Sequence, residues 1–270
     1  QAEVIIEPGS EIAIGRVTLI AESMRSIVLR TFLSRVIGWT DDRLHDIDFA
    51  LRSIRITSAR RAPLALYGND DLVSIAYDIH RLAFGELKPF VLCDPERTTK
   101  DRIRRGVSVL KAAAEAIDAA AGGSICVWAT RRPSEFPDLA RRLALPSTVA
   151  QLVIVGRDAG SVESYGAKPI EIPLLHHRNA EIEQIVRGYG DDARERLVTS
   201  LRLHSKGREW VRKHCATALG EIQKGTERVL ALKHFGNFAK AANWLGISPQ
   251  GLTHWMESRD ITSMDGLDAY

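Results

Sequence analysis

Cysteine is scarce. Three occur in 270 residues, Cys93, Cys126 and Cys215, far apart and at no metal-ligand spacing. That excludes a disulfide framework and a cysteine-ligated zinc site. Two lie within apolar runs, and the three read as reduced, buried thiols of a cytoplasmic protein. Long hydrophobic runs are missing too, since no stretch approaches the roughly eighteen uninterrupted apolar residues of a membrane helix. There is no signal peptide, and the start Gln1-Ala2-Glu3 without Met reads as a fragment of something longer. Internal repeats and low-complexity tracts are absent, apart from an alanine-rich stretch around 112–121. Charge of one sign is lacking as well. Thirty-seven Lys and Arg against 34 Asp and Glu leave +3, which permits a nucleic-acid partner without demanding one. The remainder, 45% hydrophobic and 26% charged, is ordinary globular composition, with length for one large domain and a small one.

Apolar periodicity supplies the organisation. Glu3-Val4-Ile5-Ile6-Glu7 reads as a strand, and Glu11 to Ile20 alternates around Gly15-Arg16. Met24, Ile27, Val28, Phe32, Val36 and Ile37 then keep helical spacing until Gly38. Leu44, Ile47, Ala50, Leu51 and Ile54 mark a second helix. From Pro63 short, continuously apolar runs alternate with helical stretches. The runs are Leu64–Tyr67, Pro89–Cys93, Ser124–Trp128, Gln151–Val155 and Ile170–Ile172, and the helices 70–84, 104–120 and 134–143. Continuous rather than alternating strands predict a parallel sheet of about five strands covered on both faces, hence an α/β fold. After Pro173 only helix is predicted: 179–188, 191–203, 205–214, 218–234, 238–245 and 249–257.

The last two of these helices carry the most information. Small Ala241 and Ala242 let helices approach, Gly246 permits a sharp turn, and Ile247 fills the space between them. Ser248 can cap the next helix, with Pro249 at its first position. Leu252 and Trp255 then face inward, and Gln250, Gly251, Thr253 and His254 outward. This is helix-turn-helix geometry, whose second helix enters the DNA major groove. The wording Gly236-Asn237, Ala241-Ala242, Leu245-Gly246-Ile247-Ser248 and Leu252 resembles the DNA-binding helices of the Fis family. The resemblance implies double-stranded DNA as partner. Gln250 would pair with adenine, Thr253 would meet a thymine methyl or a phosphate, and Lys240 and Arg259 would add charge, beside Ser248, Gly251 and His254. Local charge is thin, with Arg228, Lys233, Lys240 and Arg259 against Glu227 and Glu257, so homo-oligomers would supply the remaining affinity.

A Fis-type tail behind an α/β domain resembles the sigma-54-dependent activators and their AAA+ domain, from about Thr18 to Arg259. Pro63-Leu64-Ala65-Leu66-Tyr67-Gly68 is similar to the strand before the phosphate loop. Ala121-Gly122-Gly123-Ser124-Ile125-Cys126-Val127 is similar to the Walker B strand, and Gln151–Asp158 to the sensor 1 strand. Ile170–Leu175 resembles the segment entering the helical lid. The resemblance implies an AAA+-like three-layer α/β/α sheet, a lid and a C-terminal helix-turn-helix. It divides the chain into 1–20 (the end of a small β module resembling a forkhead-associated domain), 21–173, a lid over 174–234, the helix-turn-helix over 235–259 and a tail over 260–270.

The chemistry of that family is missing. A phosphate loop needs a second Gly and a Lys to reach the β and γ phosphates. Here Gly68 is followed by Asn69, Asp70 and Asp71, whose carboxylates oppose a phosphate. The Walker B acidic pair falls on Trp128 and Ala129, which can neither hold Mg²⁺ nor polarise water. The sensor 2 Arg falls on Gly220, and the sigma-54-contacting loop and the arginine-finger segment are absent. The expectation is therefore no catalytic residue, no cofactor and no metal. His176-His177-Arg178 and the arginine pairs at 60, 104, 131 and 141 read as solvated surface. Gly190-Asp191-Asp192 reads as the end of one helix and the cap of the next. The function expected is sequence-specific DNA binding in bacterial transcription regulation, with RNA polymerase or another regulator as a protein partner. The alternatives are an ATP-dependent sigma-54 activator and a protein adaptor without DNA binding. Exposure or burial of Gln250, Thr253 and His254 separates the adaptor from the regulator.

Overall fold

The structure is a computed structural model and describes residues 11–68, 71–98, 106–145, 149–163 and 168–259. The chain divides into two compact units, 1–172 and 173–270. The expected first strand, Glu3–Glu7, and the tail over 260–270 lie outside the described residues.

The first unit opens with an antiparallel hairpin of β1 (Glu11–Ile14) and β2 (Val17–Ile20), in which Glu11 faces Ile20 and Ile14 faces Val17. Helix α1 (Met24–Ile37) is capped by Ser23, whose side chain accepts from the Ser26 amide. Its buried stripe is Leu29, Phe32, Leu33, Val36 and Ile37, so Met24, Ile27 and Val28 of the expected apolar face lie outside it and are exposed. Helix α2 (Leu44–Arg60) buries Ile47, Ala50, Leu51 and Ile54 as the spacing predicts, but leaves Leu44 half exposed.

The sheet follows. Among the described residues it has six parallel strands: β3 (Leu64–Gly68), β4 (Phe90–Cys93), β5 (Ser108–Leu110), β6 (Ser124–Trp128), β7 (Gln151–Gly156) and β8 (Ile170–Ile172). Their order is β5-β4-β6-β7-β3-β8. The connecting helices are α3 (Leu72–Phe84), α4 (Ala113–Ala119), α5 (Phe136–Leu143) and the short α6 (Ala159–Val162). Side chains alternate across each strand. Ala65, Val91, Cys93, Ile125, Val127, Leu152 and Ile154 form one core with Ile117, Phe136, Leu139 and Val162 of α4 to α6. The alternate residues, including Leu66, Leu92, Cys126 and Val155, are buried on the other face, where α3 packs. Burial on both faces explains the unbroken apolar runs, and the fold is a three-layer α/β/α sandwich.

On that second face His80 of α3 is 2% exposed. Its Nδ1 lies 2.8 Å from the Ser124 hydroxyl and its Nε2 3.0 Å from the Lys88 carbonyl. A carbonyl only accepts, so Nε2 carries the hydrogen and the Ser124 hydroxyl donates to Nδ1. Burial, the largest influence, pulls this imidazole below its usual range, with Arg61 acting in the same direction against the Lys88 hydrogen bond. The three cysteines are buried. Burial pushes the thiols of Cys93 and Cys215 up to about 11 and raises Cys126 as well, so all three stay protonated and unreactive near neutrality.

A further expectation fails in this unit. The stretch 104–120, read as a single helix, contains β5 before α4 begins at Ala113. Its Val109 sits opposite Leu92 of β4, and pairing with that strand overrides the helical pattern.

The second unit is helical among its described residues. A 3₁₀ segment over Leu175–Glu181 leads into α7 (Ile182–Leu197), α8 (Ser205–Cys215), α9 (Leu219–Phe235), α10 (Phe238–Leu245) and α11 (Pro249–Glu257). Its core includes Ile185, Val186, Val211, Ile222, Val229 and Leu232. A Cβ on Gly225 of α9 would stand 2.5 Å from Cys215 Sγ, so glycine permits the close approach of α8. Helix α7 runs straight through Gly190-Asp191-Asp192, which therefore neither end nor cap a helix. Ile185, Tyr189 and Ala193 keep one buried stripe across it, and Asp191 pairs with Arg194 one turn on at 3.4 Å. His176 and His177 are exposed, but Arg178 is 6% exposed and bonds Glu181 at 2.7 Å, so its place is structural rather than solvated.

Candidate nucleic-acid interface

The last two helices are built by local signals. Asn237 caps α10, its Oδ1 accepting from the Lys240 amide at 3.0 Å. Gly246 ends that helix at φ +69, and the Ile247 amide reaches back to the Ala242 carbonyl at 3.0 Å. Ser248 then caps α11, accepting from the Gly251 amide at 3.0 Å, with Pro249 in the first turn. Ala241 and Ala242 have no exposed surface, which brings α10 against α9 and α11.

The two faces of α11 differ sharply. Leu252 is fully buried, Met256 is 2% exposed and Trp255 7%. Gln250, Gly251, Thr253 and His254 are exposed, as is Lys240 on α10. The Thr253 hydroxyl donates to the Pro249 carbonyl at 3.1 Å. Its proton is thus committed, and Thr253 offers a methyl and a lone pair rather than a donor. Ser248 is exposed but its oxygen is engaged as the cap. Arg259 is placed otherwise than expected. Its guanidinium lies 3.1 Å from Glu221 and 5.0 Å from the Trp255 ring centre, tying the end of α11 to α9 instead of facing outward. Burial alone would raise the Glu221 carboxyl, but Lys224, Arg259 and Arg228 outweigh it and hold it below the usual range. Sequence reasoning also missed the packing behind α11, where Trp255 meets Trp210 of α8 edge-on at 5.9 Å and Arg228 sits 4.8 Å from its ring.

The carboxyl ends of the β strands are where an open parallel sheet binds ligands. Asn69 and Asp70, two of the residues expected where a phosphate loop would follow Gly68, lie outside the described residues. Asp71 does not. Its carboxylate caps α3, accepting from the Ser74 amide at 3.3 Å and the Ser74 hydroxyl at 2.6 Å. A helix N-terminus of this kind is where a phosphate would be held, and here a carboxylate occupies it. At the end of β6 stand Trp128, half buried, and Ala129, 4% exposed. Asp94, at the end of β4, is a buried carboxylate that sequence reasoning passed over, and Arg131 neutralises it at 3.4 Å. Arg132 donates to the Ala129 carbonyl at 2.8 Å, and Arg61 to the carbonyls of Gly122 and Gly123. Arg141 pairs with Asp138 at 2.8 Å. Arg141 and Arg142 keep exposed side chains, as expected of solvated surface, and Arg104-Arg105 lies outside the described residues. Among the described residues, no three His, Cys, Asp or Glu gather closely enough to hold a metal ion. No helix among them is long and apolar enough to cross a membrane.

No family model matches the chain, and no curated protein matches it. Among solved structures it is similar to NtrX from Brucella abortus in complex with ATP, at 12% identity and a TM-score of 0.43 over 85% of this chain and 71% of that one. A second crystal structure of NtrX from Brucella abortus gives 13% identity and a TM-score of 0.39 over the same shares.

Proposed function

We propose that the chain is a sequence-specific DNA-binding transcriptional regulator, with α10 and α11 as its helix-turn-helix. Its AAA+-like α/β unit serves as a scaffold for assembly or for contacts with polymerase, and not as an ATPase. One observation carries the reading: α11 buries Leu252, Trp255 and Met256 while Gln250, Thr253 and His254 stay exposed on its opposite face. That exposed face leaves Gln250 and Thr253 free to reach base edges, which burial would forbid. Entering the major groove, Gln250 offers an amide able to make two hydrogen bonds with adenine, and Thr253 a methyl group for thymine. Lys240 contributes a phosphate contact from α10. The absence of hydrolysis is supported by the Asp71 carboxylate at the N-terminus of α3 and by the apolar Trp128 and Ala129 at the end of β6.

The test is selection of duplexes from a random-sequence pool by the full chain, followed by fluorescence anisotropy with the enriched duplex across a salt series. Enrichment of one sequence, and loss of its preference in a Gln250→Ala/Thr253→Ala variant, is expected. A pool that never enriches, with folded protein at low salt, overturns the regulator reading and leaves the adaptor.

A further inference from the structure

Where helices α1, α2 and α3 of the first unit meet, they leave a cleft of about 360 Å³. That volume falls within the range of small-molecule sites, about 300–1,000 Å³. Most of its lining is apolar: Leu29 from α1, Ile54 and Ala59 from α2, and Leu82, Ala83 and Phe84 from α3. Phe84 is held in place, with the Arg61 guanidinium 4.1 Å from its ring centre and the His80 ring 5.3 Å away. That side of the cleft is therefore formed before a ligand arrives, which lowers the cost of binding. The polar part of the lining is Ser26, Ser58, Arg25 and Arg55, and it includes no carboxylate. Arg25 is exposed, and its Nη1 donates to the Ala83 carbonyl at 3.2 Å. This bond covers the carbonyl end of α3 and leaves the rest of the guanidinium for another acceptor. The acids nearest along the chain are committed elsewhere, Glu22 to Arg30 at 3.1 Å and Glu86 to Arg81.

We propose that this cleft binds a small organic acid, an apolar body bearing one carboxylate. The body would lie against Leu29, Ile54 and Phe84, and the carboxylate on Arg25, with Arg55 adding positive potential. The cleft belongs to the first unit alone, so binding is tested without DNA, and its failure leaves the helix-turn-helix reading untouched. The test is a ligand-observed NMR titration of the full chain with 4-phenylbutyrate, against the neutral 4-phenylbutanamide and the cationic 4-phenylbutylamine. The acid is expected to bind with a dissociation constant on the order of 1 mM or tighter, as suits a ligand of this size. Arg25→Gln should weaken the acid by about tenfold and the amide far less, because a hydrogen bond between charged groups is lost. Ala59→Phe, which fills the cleft from an exposed position, should abolish binding of the acid. Arg25 is exposed as well, so at least its variant keeps the native fold. An acid that does not bind the native chain, an amide or amine that binds as tightly, or native affinity in either folded variant overturns the proposal.

Discussion

Replacing Leu252 by Ala probes whether α11 is a packed helix with a free outer face. Leu252 has no exposed surface, on a helix that packs against α10. Truncation should therefore fall in the buried Leu→Ala range, about 2–5 kcal/mol. Against a total stability of about 5–15 kcal/mol, that is enough to unravel the second unit at moderate urea. Gln250→Ala/Thr253→Ala, on the exposed face, should change stability by no more than about 0.5 kcal/mol per site. The Thr253 bond to the Pro249 carbonyl adds little, being a local back-bond. Each lost base contact should instead reduce affinity by about 1–3 kcal/mol. Urea unfolding followed by tryptophan fluorescence separates the two, since Trp210 and Trp255 both lie in this unit. A Leu252→Ala variant as stable as the native chain, or an outer-face variant as unstable as Leu252→Ala, would refute the assignment of faces.

Three further outcomes follow from the geometry. Ser248→Ala removes the cap of a nine-residue helix and should cost about 1 kcal/mol, read as a lower urea midpoint with an unchanged slope; no shift would mean that the cap is not formed. His80 is held neutral, below its usual range, so the unfolded chain takes up its proton first as pH falls. Its contribution to stability is full above about pH 6.5 and declines as pH drops from there through the lowered folded value. His80→Phe should remove that part of the pH dependence, and an unchanged profile would contradict the buried neutral tautomer. Finally, millimolar Mg-ATP should move the melting temperature by less than about 1 °C, because a site filled to a hundred times its dissociation constant would add about 2.7 kcal/mol; a shift of several degrees would restore the nucleotide-dependent alternative.

What could be read from the sequence was mostly local. Helices α10 and α11 begin and end at the expected residues because Asn237, Gly246, Ser248 and Pro249 act on their immediate neighbours. Four of the five apolar runs became strands because burial on both faces leaves no polar alternation to confuse with helix, while β8 at the sheet edge alternates buried Ile170 and Ile172 with exposed Glu171. Features set by distant partners were not visible. Strand β5 needs the edge of β4. Arg259 looked like a free cation until Glu221, 38 residues earlier, took it. Gly190-Asp191-Asp192 carries the composition of a helix break, and the buried stripe of α7 overrode it. At the candidate interface, outward and inward residues followed from helical spacing, whereas the Trp210–Trp255 contact behind α11 did not.

The central claim, that α11 reads the major groove, is tested most directly by methylation protection of guanine N7 on the enriched duplex. N7 lies in the major groove, so bound chain should shield guanines over a few consecutive base pairs, and Gln250→Ala should shift or lose that protection. Guanines that stay fully reactive under saturating protein, or protection indifferent to Gln250→Ala and Thr253→Ala, would contradict it.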